Sequence, residues 1–197
     1  MPLYNAGMTS IANTFEVRSL TKRDPAYEQV CALYKEAFPF EERFSLLTLR
    51  FAARKKEVDF LAYFSVDASA EQLVGMTYTI AAGDYLYILY LAVCKEFRGG
   101  GWGTRILDYL KQQFPGKQLV LEIEPLDKAA DNYEQRLSRL GFYERNGFSR
   151  VGYDFFEGKV RYTVLATGDS FDADAFSRAL RKLSHGLYRF KILPASD

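Results

Sequence analysis

Histidine is almost missing from this chain of 197 residues, cysteine and tryptophan are scarce, and no sign of charge dominates: there is one His, two Cys, one Trp and a formal net charge of +1. Each scarcity excludes something. A lone histidine, His185, cannot furnish a multi-histidine metal centre, and a histidine triad is a poor fit. Cys31 and Cys94 show neither metal-site spacing nor a Cys-x-x-Cys pair, so they read as reduced, mostly buried thiols. Near-neutral charge supplies no global field for nucleic acid or an anionic membrane, so any anion site must be local. No apolar run approaches the roughly 20 residues of a membrane helix, and no signal peptide opens the chain. A cytoplasmic protein with no metal, nucleic-acid or membrane partner is the expectation.

Apolar residues are plentiful, at 48% of the chain with 16 Phe and 14 Tyr, enough for a sizeable core. Residues 1–13 have no period and read as a loose leader. A first strand follows at Phe15–Arg18. A helix is predicted with Asp24 as its N-cap and Pro25 at its first position, running to Phe38. After the linker Phe40–Phe44, Ser45 caps a second helix. Strands near 60–66 and 73–81 form a hairpin, with Gly75 marking a bulge or a close backbone approach. Tyr85–Val93 is apolar on both faces, as a central strand would be. A helix to about Phe114 and a buried strand Leu119–Ile123 come next. A long helix is predicted from Asp127 or Lys128 to Asn146-Gly147, then a hairpin across Glu157-Gly158. A last helix is capped by Asp172 and closed by Gly186, and Leu187–Ile192 forms a strand or packed tail. This order predicts an α/β mixed sheet, mostly antiparallel, with helices on both faces.

The most informative stretch is Arg98-Gly99-Gly100-Gly101-Trp102-Gly103-Thr104. Strand, glycine turn and helix let backbone N–H groups and a helix N-terminus converge on an anion. The dinucleotide pattern G-x-G-x-x-G fails, because its third glycine is Thr104 or Ile106. A Walker A ending is also absent. What remains is R-x-x-G-x-G between a Leu91-Ala92-Val93 strand end and a helix, with Phe142-Tyr143-Glu144-Arg145-Asn146-Gly147-Phe148 about forty residues later.

In those two motifs, in that order, the sequence resembles the GNAT N-acetyltransferase superfamily over about residues 14–166, with 167–197 a C-terminal helix and tail packed on that domain. The resemblance implies a splayed strand pair that receives acyl-coenzyme A. Leu91, Ala92 and Val93 would bond its pantetheine, and the amides of Arg98, Gly99, Gly100, Gly101, Trp102, Gly103 and Thr104 would hold its diphosphate. Tyr143 would be the general acid toward the leaving thiolate, since a phenol is a donor at neutral pH. Many relatives carry Asn seven residues before this tyrosine. Here that position is Arg136, with Asn132 one turn earlier and Arg139 one turn later, so either the helix register differs and Asn132 carries the coenzyme contact over, or an arginine substitutes. The implied activity is acetyl transfer from acetyl-CoA to a primary amine, on a small molecule or a peptide, by direct attack.

The base that must take the amine's proton has two candidates. Glu122 stands in an otherwise apolar strand, where a carboxylate needs a partner. Glu42 follows the first helix. Tyr87 and Tyr90 could lead a water chain. Cys94 reads as a small buried residue, since direct transfer needs no acyl-enzyme. A non-catalytic acyl-CoA-binding or regulatory module is the alternative. The last helix could cap the pocket, serve a homodimer or cover the sheet.

Overall fold

The computed structural model describes residues 14–66, 70–184 and 188–195. The expected leader, His185 and the helix end at Gly186 lie outside the described residues. The strands are β1 (Thr14–Ser19), β2 (Val58–Val66), β3 (Glu71–Ala82), β4 (Tyr85–Val93), β5 (Gln118–Ile123), β6 (Phe148–Glu157), β7 (Val160–Thr167) and β8 (Phe190–Pro194). The helices are α1 (Tyr27–Ala37), α2 (Leu46–Ala52), α3 (Trp102–Gln113), α4 (Tyr133–Arg145) and α5 (Ala173–Ser184).

All eight strands join one sheet in the order β1-β2-β3-β4-β5-β7-β6-β8. Every neighbouring pair is antiparallel except β4 and β5, which run parallel. One face is covered by α1 and α2, which pack Val30, Tyr34 and Leu49 against Phe60, Met76 and Tyr78. Farther along the same face, α5 sets Phe176 and Leu180 against Tyr85, Tyr87 and Phe155. Partly buried Ile80 and Leu89 join these two clusters. The opposite face holds α3 and α4, whose Ile106, Leu107, Leu110 and Leu140 meet Leu86, Leu121 and Leu165. The C-terminal strand pairs with β6 from Tyr153↔Pro194 to Glu157↔Phe190.

Two helices start later than their sequence signals imply, and for one reason. Asp24 accepts the Ala26 N–H at 2.8 Å, and its carbonyl accepts from Tyr27 at 3.0 Å. This side chain makes a turn ahead of α1 instead of capping it. Asp127 does the same with Ala129 at 2.9 Å, and successive turns then carry the chain to Tyr133, where α4 begins. Aspartate's local bonding to nearby N–H groups competes with helix here. Ser45 does cap α2, accepting from Thr48 at 3.1 Å, and Asp172 accepts from Ala175 at 2.8 Å before α5.

Three irregularities shape the middle of the sheet. The β4–β5 register holds only at Tyr85↔Gln118, Leu86↔Leu119 and Tyr87↔Val120. Immediately beyond, β4 carries an extra residue, Leu89, where its register with β3 shifts between Tyr78 and Thr79. A bulge bends the strand that carries it, so β4 turns away from β5. The third is Gly75, where a Cβ would sit 2.5 Å from the Ala92 carbonyl oxygen, so both sequence expectations for this glycine meet: close approach, with a register shift at Tyr63/Phe64 opposite.

Candidate active site

The fork begins where β4 and β5 part. Beyond Tyr87, β4 has no strand partner on its β5 side among the described residues, whereas β5 pairs onward with β7 from Val120↔Ala166 to Ile123↔Thr163. Leu91, Ala92 and Val93 lie on this free run, with Ala92 buried and its neighbours partly so. Unpaired N–H and C=O groups on a strand edge are a template for an extended ligand. At the far end, Arg98 donates from Nε to the Val93 carbonyl at 3.0 Å.

The glycine turn follows a short 3-10 helix, Lys95–Phe97. Gly99 and Gly101 have φ of 80° and 78°, a region that favours glycine, and the space where a Cβ would point is open at both. Gly101 sits at the N-cap of α3, and no side chain caps that helix. The first-turn N–H groups and the positive end of the helix dipole are therefore free for an anion. Gly100 lies against the Trp102 ring. The remaining three named positions serve differently. At Gly103 a Cβ would come within 2.9 Å of Phe142, so this glycine lets α3 pack on α4. Trp102 is buried, flanked by Phe97 at 5.8 Å and Phe15 at 6.2 Å. It can offer its backbone N–H, while its ring belongs to the core. Thr104 is exposed.

Tyr143 is buried at 8% exposure on α4, in edge contact with Phe142 at 5.0 Å and Phe148 at 5.5 Å. Its hydroxyl makes no hydrogen bond among the described residues. Burial raises its pKa to about 12, with nearby Glu122 adding and Arg139 opposing. Glu122 lies on the other face of the sheet: its neighbours Leu121 and Ile123 face α3 and α4 with Tyr143, whereas Val120 faces α5. The two groups approach the fork from opposite sides.

Tyr87 donates its hydroxyl to Glu122 Oε1. Burial pushes the Glu122 carboxyl up to about 8, against the Tyr87 bond, with Glu157 and Glu42 contributing repulsion. Glu42 is also raised by burial and by Glu124, while Arg139 and a Tyr162 hydrogen bond oppose. The structure thus brings both base candidates to one side of the sheet. It also assigns the tyrosines. Tyr87 holds the Glu122 carboxyl. Tyr90 instead clamps the linker, accepting from the Phe44 N–H at 3.1 Å and donating to the Glu42 carbonyl at 2.8 Å. Tyr34 adds a bond to the Phe44 carbonyl at 3.0 Å. Cys94 is held protonated, with burial raising its thiol to about 11.

Asn132 is committed elsewhere. Its amide donates to Glu124 at 3.2 Å and its oxygen accepts from Arg136 at 2.7 Å. Arg136 and Arg139 both pair with Glu124, at 3.1 and 2.9 Å. This network locks the start of α4 to the end of β5 and neutralises Glu124. Sequence reasoning missed Glu157, Tyr162 and Tyr188. Only strand register shows that Glu157, Phe155 and Tyr162 share the Glu122 face: Phe155 pairs with Tyr162, and Glu122 pairs with Val164, two residues on.

Residues 59–150 match the family model for the acetyltransferase (GNAT) domain. YjbC of Bacillus subtilis (strain 168), provisionally assigned as an acetyltransferase, is 35% identical over 72 residues. That stretch is 35% of each protein, so the match spans about a third of this relative's length. Among solved structures, a protein of Bacteroides thetaiotaomicron provisionally assigned to the GNAT family aligns with a TM-score of 0.63 at 22% identity, over 88% of this chain and 98% of that one. An aminoglycoside 6'-N-acetyltransferase complexed with coenzyme A aligns at 0.57 and 20% identity, over 80% and 99%. These likenesses establish the fold.

The raised Glu122 carboxyl has a stability consequence. The folded chain keeps this proton to about pH 8, while an unfolded glutamate releases it near pH ~4.3. The folded state binds more protons across that window, so its stability falls as pH rises through it. Glu122→Gln removes this contribution. Urea unfolding at pH 5 and pH 8 will show a smaller loss of stability in the variant than in the parent.

Proposed function

From a chain whose residues 59–150 match the model of the GNAT acetyltransferase domain, we propose an acetyl-CoA-dependent N-acetyltransferase acting on a primary amine. The observation that carries this reading is the fork, with Glu122 and Tyr143 reaching it from opposite faces. A free strand edge, an uncapped helix N-terminus and open left-handed glycines fit the coenzyme's extended arm and its diphosphate. When bound, acetyl-CoA supplies a thioester whose C–S bond breaks as the C–N bond to the amine forms.

The chain's own groups manage the protons. An ammonium cannot attack, so Glu122 takes its proton as a carboxylate. A base poised near the working pH suits this task, and burial gives Glu122 that position. Tyr87 fixes which oxygen faces inward. On the other side, Tyr143 remains a phenol at neutral pH. Full transfer of its proton to a thiolate of ordinary basicity would be uphill by ~5 kcal/mol, so it acts by donating a hydrogen bond to the sulfur as charge develops. Unpaired backbone at the Leu89 bulge is suited to the carbonyl oxygen. Glu42 supports the acceptor side. Arg98 releases the Val93 carbonyl to the coenzyme and turns its charge to the diphosphate. With Asn132 held by Arg136 and Glu124, its part in coenzyme binding is indirect, through the position of α4.

Two variants separate these roles. Tyr143→Phe will lower turnover about 100-fold, the scale of one lost transition-state donor, with little change in coenzyme affinity by calorimetry; undiminished turnover removes Tyr143 from the chemistry. Thr104→Glu places a carboxylate in the first turn of α3, where it favours the helix and repels a diphosphate. Its melting temperature will hold while coenzyme affinity falls at least about tenfold. Unchanged affinity would take the diphosphate away from this turn.

A further inference from the structure

Tyr143 stands in the last turn of α4, the part of a helix most prone to fray. Its ring is gripped by Phe142 at 5.0 Å and Phe148 at 5.5 Å. Both neighbours depend on the chain reversal at residues 146–147, so the place of the phenol depends on it too. The last carbonyls of a helix have no partner within it. Here Asn146 and Gly147 take three of them. The Asn146 backbone N–H donates to the Tyr143 carbonyl at 3.0 Å, and its side-chain amide donates to the Phe142 carbonyl at 2.8 Å. Gly147, at φ 83°, donates to the Glu144 carbonyl at 3.0 Å. Asn146 is itself buried at 7% exposure, and its carbonyl accepts from Lys111 Nζ at 3.0 Å.

Lys111 comes from α3, the helix whose uncapped start is Gly101. This helix meets the end of α4 at Gly103, where a Cβ would come within 2.9 Å of Phe142, and again at Lys111. The two points lie about 12 Å apart along α3. A single contact would let the end of α4 pivot, and the second removes that freedom. A lysine near a helix C-terminus also favours the dipole, but any solvated side chain can supply that much. The Lys111 ammonium is instead partly buried, steadied by Asp108 at 3.3 Å and aimed at one carbonyl.

We propose that Lys111, acting through Asn146, is a positioning residue for Tyr143: it fixes the phenol relative to the coenzyme that the start of α3 receives. This rests on the acetyl-transfer reading and deepens it. Misplacing a reacting group by about 1 Å costs on the order of 100-fold. With the diphosphate turn and the lysine on one helix, sulfur and phenol are both indexed from α3. Lys111 itself carries no proton in the reaction.

The test uses the full chain with acetyl-CoA and the fastest amine from a panel of alkylamines, amino sugars and peptides, followed by thiol release. Lys111→Met keeps the stem and removes the donor. It will lower kcat about tenfold, with the amine KM and the coenzyme affinity by calorimetry held within about twofold. Lys111→Arg, which keeps a donor, will recover most of the loss. The same change is then made in Tyr143→Phe. There it will cost no more than about twofold, because the group it positions is gone. Asn146→Asp, which loses the amide donor, is the second variant and will show the same pattern in both backgrounds. A general packing defect would lower both backgrounds alike, and equal losses overturn the proposal while acetyl transfer stands. Full kcat in Lys111→Met, or a loss carried by coenzyme affinity, also overturns it. So does undiminished turnover in Tyr143→Phe. No turnover of any amine in the panel by chain that binds the coenzyme overturns the acetyl-transfer reading with it.

Discussion

The parallel pairing of β4 with β5 lasts three residues and then stops. Continuous pairing would seal the centre of the sheet, leaving the half-buried Glu122 carboxyl on one face and Tyr143 on the other with no common space. The interruption is built in from the β3 side. The extra residue at Leu89 bends β4, and the missing side chain at Gly75 lets β3 follow the bent strand closely enough for its neighbour's carbonyl. β5 keeps β7 as its partner on its other edge, and the opening leaves hydrogen-bonding groups unpaired on the facing edges of both β4 and β5. Those unpaired groups are what an extended ligand would complete.

The two sides of the fork have opposite electrostatic character. Toward α4, Arg136 and Arg139 grip Glu124 and fix the helix that carries Tyr143. Toward α5, burial raises Glu122, Glu42 and Glu157. The C-terminal segment, which lies beyond residues 59–150, packs on this side of the sheet. Phe176 of α5 packs edge-on against Tyr87 at 5.6 Å, and Phe190 at the start of β8 stacks on Phe155 at 5.1 Å. The last helix covers the sheet and braces Tyr87, the partner of Glu122.

Local signals were legible in the sequence. Tyr85–Val93 is a strand with the bounds its two-sided apolar pattern gives, the glycine turn lies between it and α3, and Asn146-Gly147 ends α4. Glu122 drew notice as a carboxylate in an apolar strand and does have the partner it needed. What the sequence hid depends on pairing between distant segments. Glu157 looked like half of a hairpin turn until register set it on the Glu122 face. Gly103 looked like part of an anion cradle, whereas Phe142, thirty-nine residues away, is what excludes its side chain. Asp24 and Asp127 resembled helix starts because the same side chain serves caps and isolated turns, and only the surrounding fold decides between them.

The central claim is that the open edge of β4 receives the coenzyme. Amide hydrogen exchange of the full chain, with and without saturating coenzyme A, tests it most directly. Protection is predicted to rise at Leu89–Val93 and at Gly99–Thr104, the free strand edge and the uncapped helix start, with smaller changes in α5. Binding of the coenzyme with exchange unchanged along Leu89–Val93 would contradict the account.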